Sequence, residues 1–142
     1  MNYVKLLLAT VGGAVANFLA GWLVYGMLLG DSMGNGMSDA AKATMLPMEQ
    51  HHIVYYFLGS LFFALLLALI YERWANIRTF MTGAIAGAVI AGLYELSISC
   101  NFMAGMNWYT SMSTPIMSAL ITALMGGLTG GVVGWLLGWN RN

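Results

Sequence analysis

Four apolar stretches, each long enough to cross a membrane, constrain the fold of this chain more than any other feature of its sequence. A helix needs about 20 mostly apolar residues to span the hydrocarbon core of a bilayer. We expect the spans to be Val4 to Leu29, Pro47 to Tyr71, Thr79 to Met103 and Pro115 to Trp139. The sequence therefore predicts an all-α membrane protein, a four-transmembrane-helix bundle that forms one domain over residues 1 to 142.

Charged residues are scarce, which is typical of integral membrane proteins. Only 7% of the residues are charged and 60% are hydrophobic, whereas about 25% of an ordinary soluble domain is charged. The net charge is zero and no basic run occurs, so we expect no nucleic-acid partner. The single cysteine, Cys100, excludes an intrachain disulfide.

The distribution of basic residues predicts how the spans are oriented. Only Lys42 lies on one side of the four-span arrangement. The other side carries Lys5, Arg73, Arg78 and Arg141. Because positively charged loops stay in the cytoplasm, we expect both termini to be cytoplasmic, in the inner membrane of a bacterium. Met1 to Ala16 also fits a signal peptide, but the apolar run continues past its cleavage-like end.

This orientation leaves two external loops, Gly30 to Leu46 and Ala104 to Thr114. Within the first loop, the segment from Ser38 to Leu46 predicts a short interfacial helix that is capped by Ser38. The connection between the second and third helices is short, so we expect these two helices to be antiparallel neighbours.

Two prolines stand where helices should begin. Pro47 precedes the second span and Pro115 opens the fourth, and proline suits the first turn of a helix because that turn leaves its N–H groups unpaired. We therefore expect the second helix to begin at Pro47. Thr114 or Ser113 would cap the fourth helix.

Glycines recur every four residues through the last span, and the third span has a similar pattern. These small residues are Gly126, Gly130, Gly134 and Gly138 in the last span, with Gly83, Gly87 and Ala91 in the third. Four-residue spacing places them on one helix face, and small residues let helix backbones approach closely in a membrane. We expect a glycine zipper that packs helices within one copy or between copies. A hinge or a pore is the functional alternative.

Several polar side chains lie within the apolar stretches. Glu95 continues the Gly83 to Ala91 face, and a carboxylate inside a span is usually paired, protonated or next to water. It is either satisfied by a neighbouring side chain or functional. Asn17 lies near the middle of the first span, where an interhelical hydrogen bond is its natural use. With Ser99 and Asn101, these residues predict a polar core that opens to the outside.

Sulfur and imidazole groups collect toward the predicted outer side. We consider a metal site formed from Met48, His51, His52, Cys100 and Met103. Thioether, thiol and imidazole are ligands that suit Cu(I), and a helix from Pro47 would place Met48 and His52 on one face. The alternatives are that the methionines fill gaps in apolar packing and that the histidines are solvated.

The layout resembles an uncharacterised family of small bacterial membrane proteins with four predicted helices. The resemblance rests on the Met1-Asn2-Tyr3 start, the stretch from Trp22 to Gly30, Asn107-Trp108 before the last helix, and the glycines from 127 to 138. Members usually have a Trp-Tyr pair followed by proline near the first external loop, whereas Trp22 and Tyr25 are separated here. The resemblance implies the four-helix fold and no reaction.

No motif in the sequence identifies a reaction, because no phosphate loop, nucleophile elbow or His-Glu-x-x-His signature occurs. We therefore expect a non-enzymatic inner-membrane protein that self-associates or serves as an accessory subunit among membrane lipids. The alternative is a small transporter, channel or copper-binding protein with an outward cavity around Glu95, His51 and His52. A dry bundle that ties Glu95 to one neighbour would favour the first hypothesis.

Overall fold

The computed structural model describes residues 2 to 139, and this part of the chain contains four helices that are long and apolar enough to cross a membrane. The described residues are all-helical apart from turns and loops. Arg141, which contributes to the predicted orientation, lies outside the described residues. The four candidate spans indicate a multi-pass membrane protein.

The first two candidate spans each combine an α-helix with a π-helical continuation. The first span is α1 (Tyr3–Gly21) followed by π1 (Trp22–Leu28), and the second is α4 (Ile53–Ile70) followed by π2 (Tyr71–Ala75). Between them lie the short helices α2 (Gly30–Asn35) and α3 (Asp39–Ala43) and a 3-10 turn (Met48–Gln50). The third and fourth spans are α5 (Phe80–Gly105) and α6 (Ser113–Gly138).

Side-chain caps explain several of these boundaries. The Asn2 side chain accepts hydrogen bonds from the Val4 and Lys5 amides at the start of α1, and Thr79 accepts one from the Thr82 amide at the start of α5. Ser38 caps α3 as the sequence predicts, although this helix ends at Ala43. Such caps satisfy amides that have no partner inside the helix.

Two predicted helix starts are wrong. Pro47 and the two residues before α4, His51 and His52, are extended, so the second long helix begins at Ile53. The His51 ring contacts the Leu46 carbonyl oxygen at 2.9 Å, which helps to hold this connection out of the helix. At the other predicted start, Met112 takes the N-cap position of α6 without a side-chain bond, and the predicted caps lie within the first turn.

The last helix, α6, lies at the centre of the bundle. It packs along α5 on one side and along α1 on another, and α4 packs on α1. The second and third spans, predicted to be antiparallel neighbours, pack mainly on other helices, α4 on α1 and α5 on α6. Tyr71, at the end of the second span, donates a hydrogen bond of 2.6 Å to the Gly83 carbonyl, but the main partner of α5 is α6, because both helices carry small residues on the facing sides.

The bundle has two ends, which we name by their connections. The terminal end contains the first residues of α1, the turn from π2 to α5 and the end of α6. The loop end contains π1, the two long loops and the start of α4. A buried cluster of apolar side chains joins α1, α4, π2 and α6 in the terminal half. Its members include Leu6, Leu67, Tyr71, Val133 and Leu137.

Candidate cavity at the loop end

Gly126, Gly130, Gly134 and Gly138 form a glycine ridge on α6. This ridge contacts α5 of the same chain in the terminal half. A methyl group added to Gly134 would lie 2.6 Å from the Thr79 carbonyl oxygen and 3.2 Å from the Gly83 Cα atom. Methyl groups on Gly126, Gly130 or Gly138 would also collide with backbone or a rigid neighbour on the chain from Arg78 to Ala91. These small residues, together with Gly83, Gly87 and Ala91, therefore bring two backbones into contact and leave no space between them.

At the loop end, the two long loops are joined to each other over the α5 and α6 side of the bundle. The Ser38 amide donates to the Trp108 carbonyl at 2.9 Å, and the Thr110 amide donates to the Gly36 carbonyl at 3.1 Å. Met37 and Tyr109 form an antiparallel bridge between these bonds. The sequence did not predict this connection, because backbone pairing between two loops leaves no periodic pattern.

A cavity of about 750 Å³ opens on the other side of the loop end, between the first and second spans. Side chains of α1 and π1 form one wall, residues from Met48 to Ser60 form the other, and Met125 of α6 closes the back. The wall residues of the first span are Asn17, Phe18, Gly21, Trp22, Tyr25 and Gly26. Its volume lies in the range of small-molecule sites, about 300 to 1,000 Å³.

The π-helical geometry of π1 shapes one wall of this cavity. In π1 the hydrogen bonds span five residues, as between the Leu29 amide and the Val24 carbonyl at 2.8 Å. A π-helix is wider than an α-helix, and π segments occur frequently at functional sites. Trp22, Tyr25 and Gly26 of π1 all line the cavity. The sequence does not predict π1, although the spacing of Phe18, Trp22 and Tyr25 places these aromatic side chains on a shared face.

Asn17 lies at the inner end of the cavity and links three helices. Its Nδ2 atom donates to the Ser60 hydroxyl of α4 at 3.0 Å, and its Oδ1 atom accepts from the Thr129 hydroxyl of α6 at 3.0 Å. Thr129 is fully buried, whereas Asn17 and Ser60 also line the cavity. This network joins α1, α4 and α6 near the middle of their lengths, as expected of an interhelical amide.

Glu95 lies outside the lining of this cavity. Its Oε1 atom accepts a hydrogen bond of 2.7 Å from the Ser118 hydroxyl of α6. Tyr25 of π1 lies near Thr122, Ser118 and Glu95 and also lines the cavity. Tyr25 is therefore a cavity-lining residue that lies near Glu95.

The other two predicted core polar residues have separate environments. Ser99 is buried and its hydroxyl lies 3.2 Å from the Tyr109 hydroxyl, beneath the joined loops. Asn101 is exposed and donates to the Ser97 carbonyl of its own helix at 2.8 Å. Asn101 therefore does not share a polar core with Asn17, and the predicted common cavity is divided into separate sites.

The proposed copper ligands are also distributed over different surfaces. Met48 and His51 line the cavity between the first two spans, whereas His52 lines a neighbouring surface hollow with Met45 and Tyr55. The two ring nitrogens of His51 contact the Leu46 carbonyl and the Tyr56 hydroxyl. Cys100 and Met103 are exposed on α5. Among residues 2 to 139, no group of three or more His, Cys, Asp or Glu side chains is placed to hold a metal ion.

The shared helix face of Met48 and His52 does not exist, because the helix that would create it begins only at Ile53. Of the two histidines, His51 is the one that reaches the cavity of Met48. Met48 and His51 are therefore the two proposed ligands that line the same cavity.

No protein-family model, no curated protein and no solved structure matches this chain. The resemblance to small four-helix bacterial membrane proteins thus remains a prediction from the residues that carry it.

Proposed function

We propose that this chain is a non-enzymatic membrane protein that binds a small, membrane-dissolved molecule in the cavity between its first two spans. The observation that carries this proposal is the cavity itself, about 750 Å³ in volume and walled by Phe18, Trp22 and Tyr56. Aromatic walls with a few polar groups are typical of small-molecule sites. The ligand enters from the membrane or from the loop end.

The distribution of basic residues supports an orientation in which the terminal end of the bundle faces the cytoplasm. Lys5, Arg73 and Arg78 lie at the terminal end, and Lys42 lies at the loop end. The positive-inside rule then assigns the terminal end to the cytoplasm of a bacterium and the cavity to the outer side of its inner membrane. The ligand would accordingly reach the cavity from the outer leaflet.

The contacts of the glycine ridge favour a role within the chain over a role in self-association. Gly126, Gly130 and Gly134 already contact α5 backbone, so a homo-oligomer would have to use other faces. Large exposed side chains such as Phe62 of α4 and Leu93 of α5 offer such faces. We propose that lipids, or other membrane subunits that the protein serves, cover them.

Transport of the bound molecule is a second candidate function, and the position of Tyr25 favours it. Tyr25 lines the cavity and lies near Glu95 and its partner Ser118, so a change in the hydrogen bond between Ser118 and Glu95 would reach a cavity wall. Glu95→Gln is then expected to preserve ligand binding and to abolish ligand movement across vesicles. Movement that continues at the normal rate in this variant would exclude transport coupled to Glu95.

Photolabelling with benzophenone tests the binding proposal. The purified intact protein in detergent is expected to be labelled saturably within the cavity, at Met125 or Met48, when the adducts are mapped by mass spectrometry. Gly21→Leu fills the cavity, because the new side chain lies against Met125. We expect this variant to lose the saturable labelling.

Gly59→Leu is the matched control, because a methyl group on Gly59 would meet nothing within 4 Å and Gly59 does not line the cavity. It should label like the unchanged protein. Labelling that is spread over exposed apolar residues, or that survives in Gly21→Leu, would contradict the proposed function.

A further inference from the structure

The inner end of the cavity holds a hydrogen-bond donor that has no acceptor. An asparagine amide carries two N–H hydrogens, and Asn17 has Ser60 on one side and Thr129 on the other. Within residues 2 to 139, only one of these hydrogens has an acceptor. The same holds if the amide is turned over, because Nδ2 would then donate to the Thr129 hydroxyl alone.

Thr129 permits both orientations because its hydroxyl can donate to the Met125 carbonyl at 2.8 Å instead. One amide hydrogen is therefore left over whichever way the Asn17 side chain lies. Asn17 also lines the cavity, so this hydrogen can be reached by a molecule inside it.

The depth of Asn17 makes the unpaired hydrogen costly. Asn17 lies about halfway along the candidate span from Tyr3 to Leu28, which in a bilayer is the depth of the hydrocarbon core. A polar group without a partner in such surroundings is destabilising. A ligand that supplies an acceptor at this point recovers that free energy, whereas a hydrocarbon of the same shape does not.

The remaining walls restrict the shape and charge of the molecule. Phe18 and Trp22 lie on one wall and Tyr56 on the other, and aromatic side chains pack well against flat rings. Among the described residues, no Asp, Glu, Lys or Arg side chain lines this cavity, and His51 lines it at the loop end. A charged ligand would have to shed its hydration without a counterion, which is expensive in a membrane.

We infer that the cavity recognises a neutral, flat, apolar carbonyl compound dissolved in the membrane. This inference rests on the binding function proposed above. The ligand's carbonyl oxygen accepts the spare Asn17 amide hydrogen at the inner end, and its rings lie between the aromatic walls. The chemical class is that of aromatic ketones and quinones.

A matched pair of competitors tests this assignment without any mutation. Fluorenone and fluorene have the same ring system, but only fluorenone carries a carbonyl group. Each is titrated, at equal mole fraction in the micelle, against saturable benzophenone labelling of the intact protein. One recovered hydrogen bond corresponds to about tenfold tighter binding, so we expect fluorenone to compete about that much better than fluorene.

The position of the benzophenone adduct gives a second readout, because the reacting atom is the ketone carbon itself. A carbonyl group at Asn17 places that carbon near Met125 at the back of the cavity. We therefore expect adducts on Met125 and not on Met48 at the mouth. Adducts confined to Met48 would place the carbonyl at the opposite end and overturn the assignment.

Asn17→Leu removes the donor and should make fluorenone and fluorene compete equally, while Ser97→Leu, a replacement on the exposed face of α5, should preserve the difference. If Asn17→Leu does not fold, the competitor pair still decides the question in the unchanged protein. Equal competition there would show that the cavity binds apolar molecules but that a water, and not a ligand carbonyl, takes the amide hydrogen. Absence of any saturable labelling would instead reject the binding function itself.

Discussion

The two halves of the bundle differ in what lies between their helices. In the terminal half, glycines of α6 face glycines of α5, so that backbone contacts backbone, as at Gly130 and Gly83. In the loop half, π1 and the start of α4 stand apart and enclose a cavity of about 750 Å³. Small residues thus let α5 and α6 pack backbone to backbone, whereas the aromatic side chains of π1 and of the start of α4 line a cavity.

The largest loss of stability is expected when a bulky side chain is placed between α5 and α6 in the closed half. Gly130→Leu puts a side chain against the Gly83 carbonyl, the Tyr71 hydroxyl and the Gly87 Cα atom, and backbone atoms cannot move aside as a flexible side chain can. Overpacking a core costs about 1 to 3 kcal/mol or more, and we expect the upper end or loss of the fold. Thermal unfolding in detergent measures the change.

Gly59→Leu serves again as the control, since it adds the same side chain on an open surface. Its unfolding temperature should equal that of the unchanged protein. Two equally stable variants would mean that the α5 and α6 backbones are not in contact.

A smaller effect is expected at the boundary between the halves, where Asn17 joins three helices. Asn17→Leu leaves Ser60 and the buried Thr129 without their amide partner. Loss of such bonds costs about 1 to 3 kcal/mol, which should appear as a lower unfolding temperature. Asn101→Leu is the matched control, because Asn101 is exposed and bonds only to its own helix. Equal stability of the two variants would show that the hydrogen bonds of Asn17 do not stabilise the fold.

The smallest change in stability is expected at Glu95. Glu95→Gln retains an oxygen that accepts the Ser118 hydrogen bond, so the free energy of unfolding should change by less than about 1 kcal/mol. Ser118→Ala removes the donor and should cost about 1 to 2 kcal/mol, because the carboxylate then lacks this bond. A large loss in Glu95→Gln alone would indicate that the negative charge itself stabilises the loop half.

Copper binding would also distinguish the halves, because its proposed ligands lie at the loop end. The hypothesis predicts near-integral uptake of Cu(I), reduced in the double variant His52→Ala with Met48→Ala. The structure sharpens it, since His51 and not His52 shares the cavity with Met48. His51→Ala should then reduce uptake more than His52→Ala, as measured by equilibrium dialysis. Uptake that is unchanged in all these variants would reject the hypothesis.

The closed half could be anticipated from the sequence more fully than the open half. The four-residue spacing from Gly126 to Gly138 and from Gly83 to Ala91 marks two smooth helix faces, and apolar length marks the helices themselves. Spacing does not say which faces meet, so neither the pairing of α5 with α6 nor the position of α6 at the centre followed. The interhelical hydrogen bonds of Asn17 to Ser60 and Thr129 are the use that the sequence predicts for an amide within a span.

The open half depends on local geometry that has weak sequence signals. Pro47 predicts a helix start, but the connection up to Ile53 is extended and the His51 ring contacts Leu46 and Tyr56. The π1 geometry and the backbone bridge between Met37 and Tyr109 follow no periodic pattern. The cavity wall was therefore missed, while three of its residues, Asn17, Met48 and His51, were singled out for other reasons.

The most direct test of this account asks whether the glycine ridge packs within one chain. In a Cys100→Ser background, Ala88→Cys and Gly127→Cys place a thiol on each of the facing helices. A Cβ atom on Gly127 would lie 3.4 Å from that of Ala88, close to the spacing of about 3.5 to 4.5 Å in disulfides. Mild oxidation in membranes should give an intrachain disulfide in a monomer. Covalent dimers from Gly127→Cys alone, without an intrachain bond in the pair, would contradict the account.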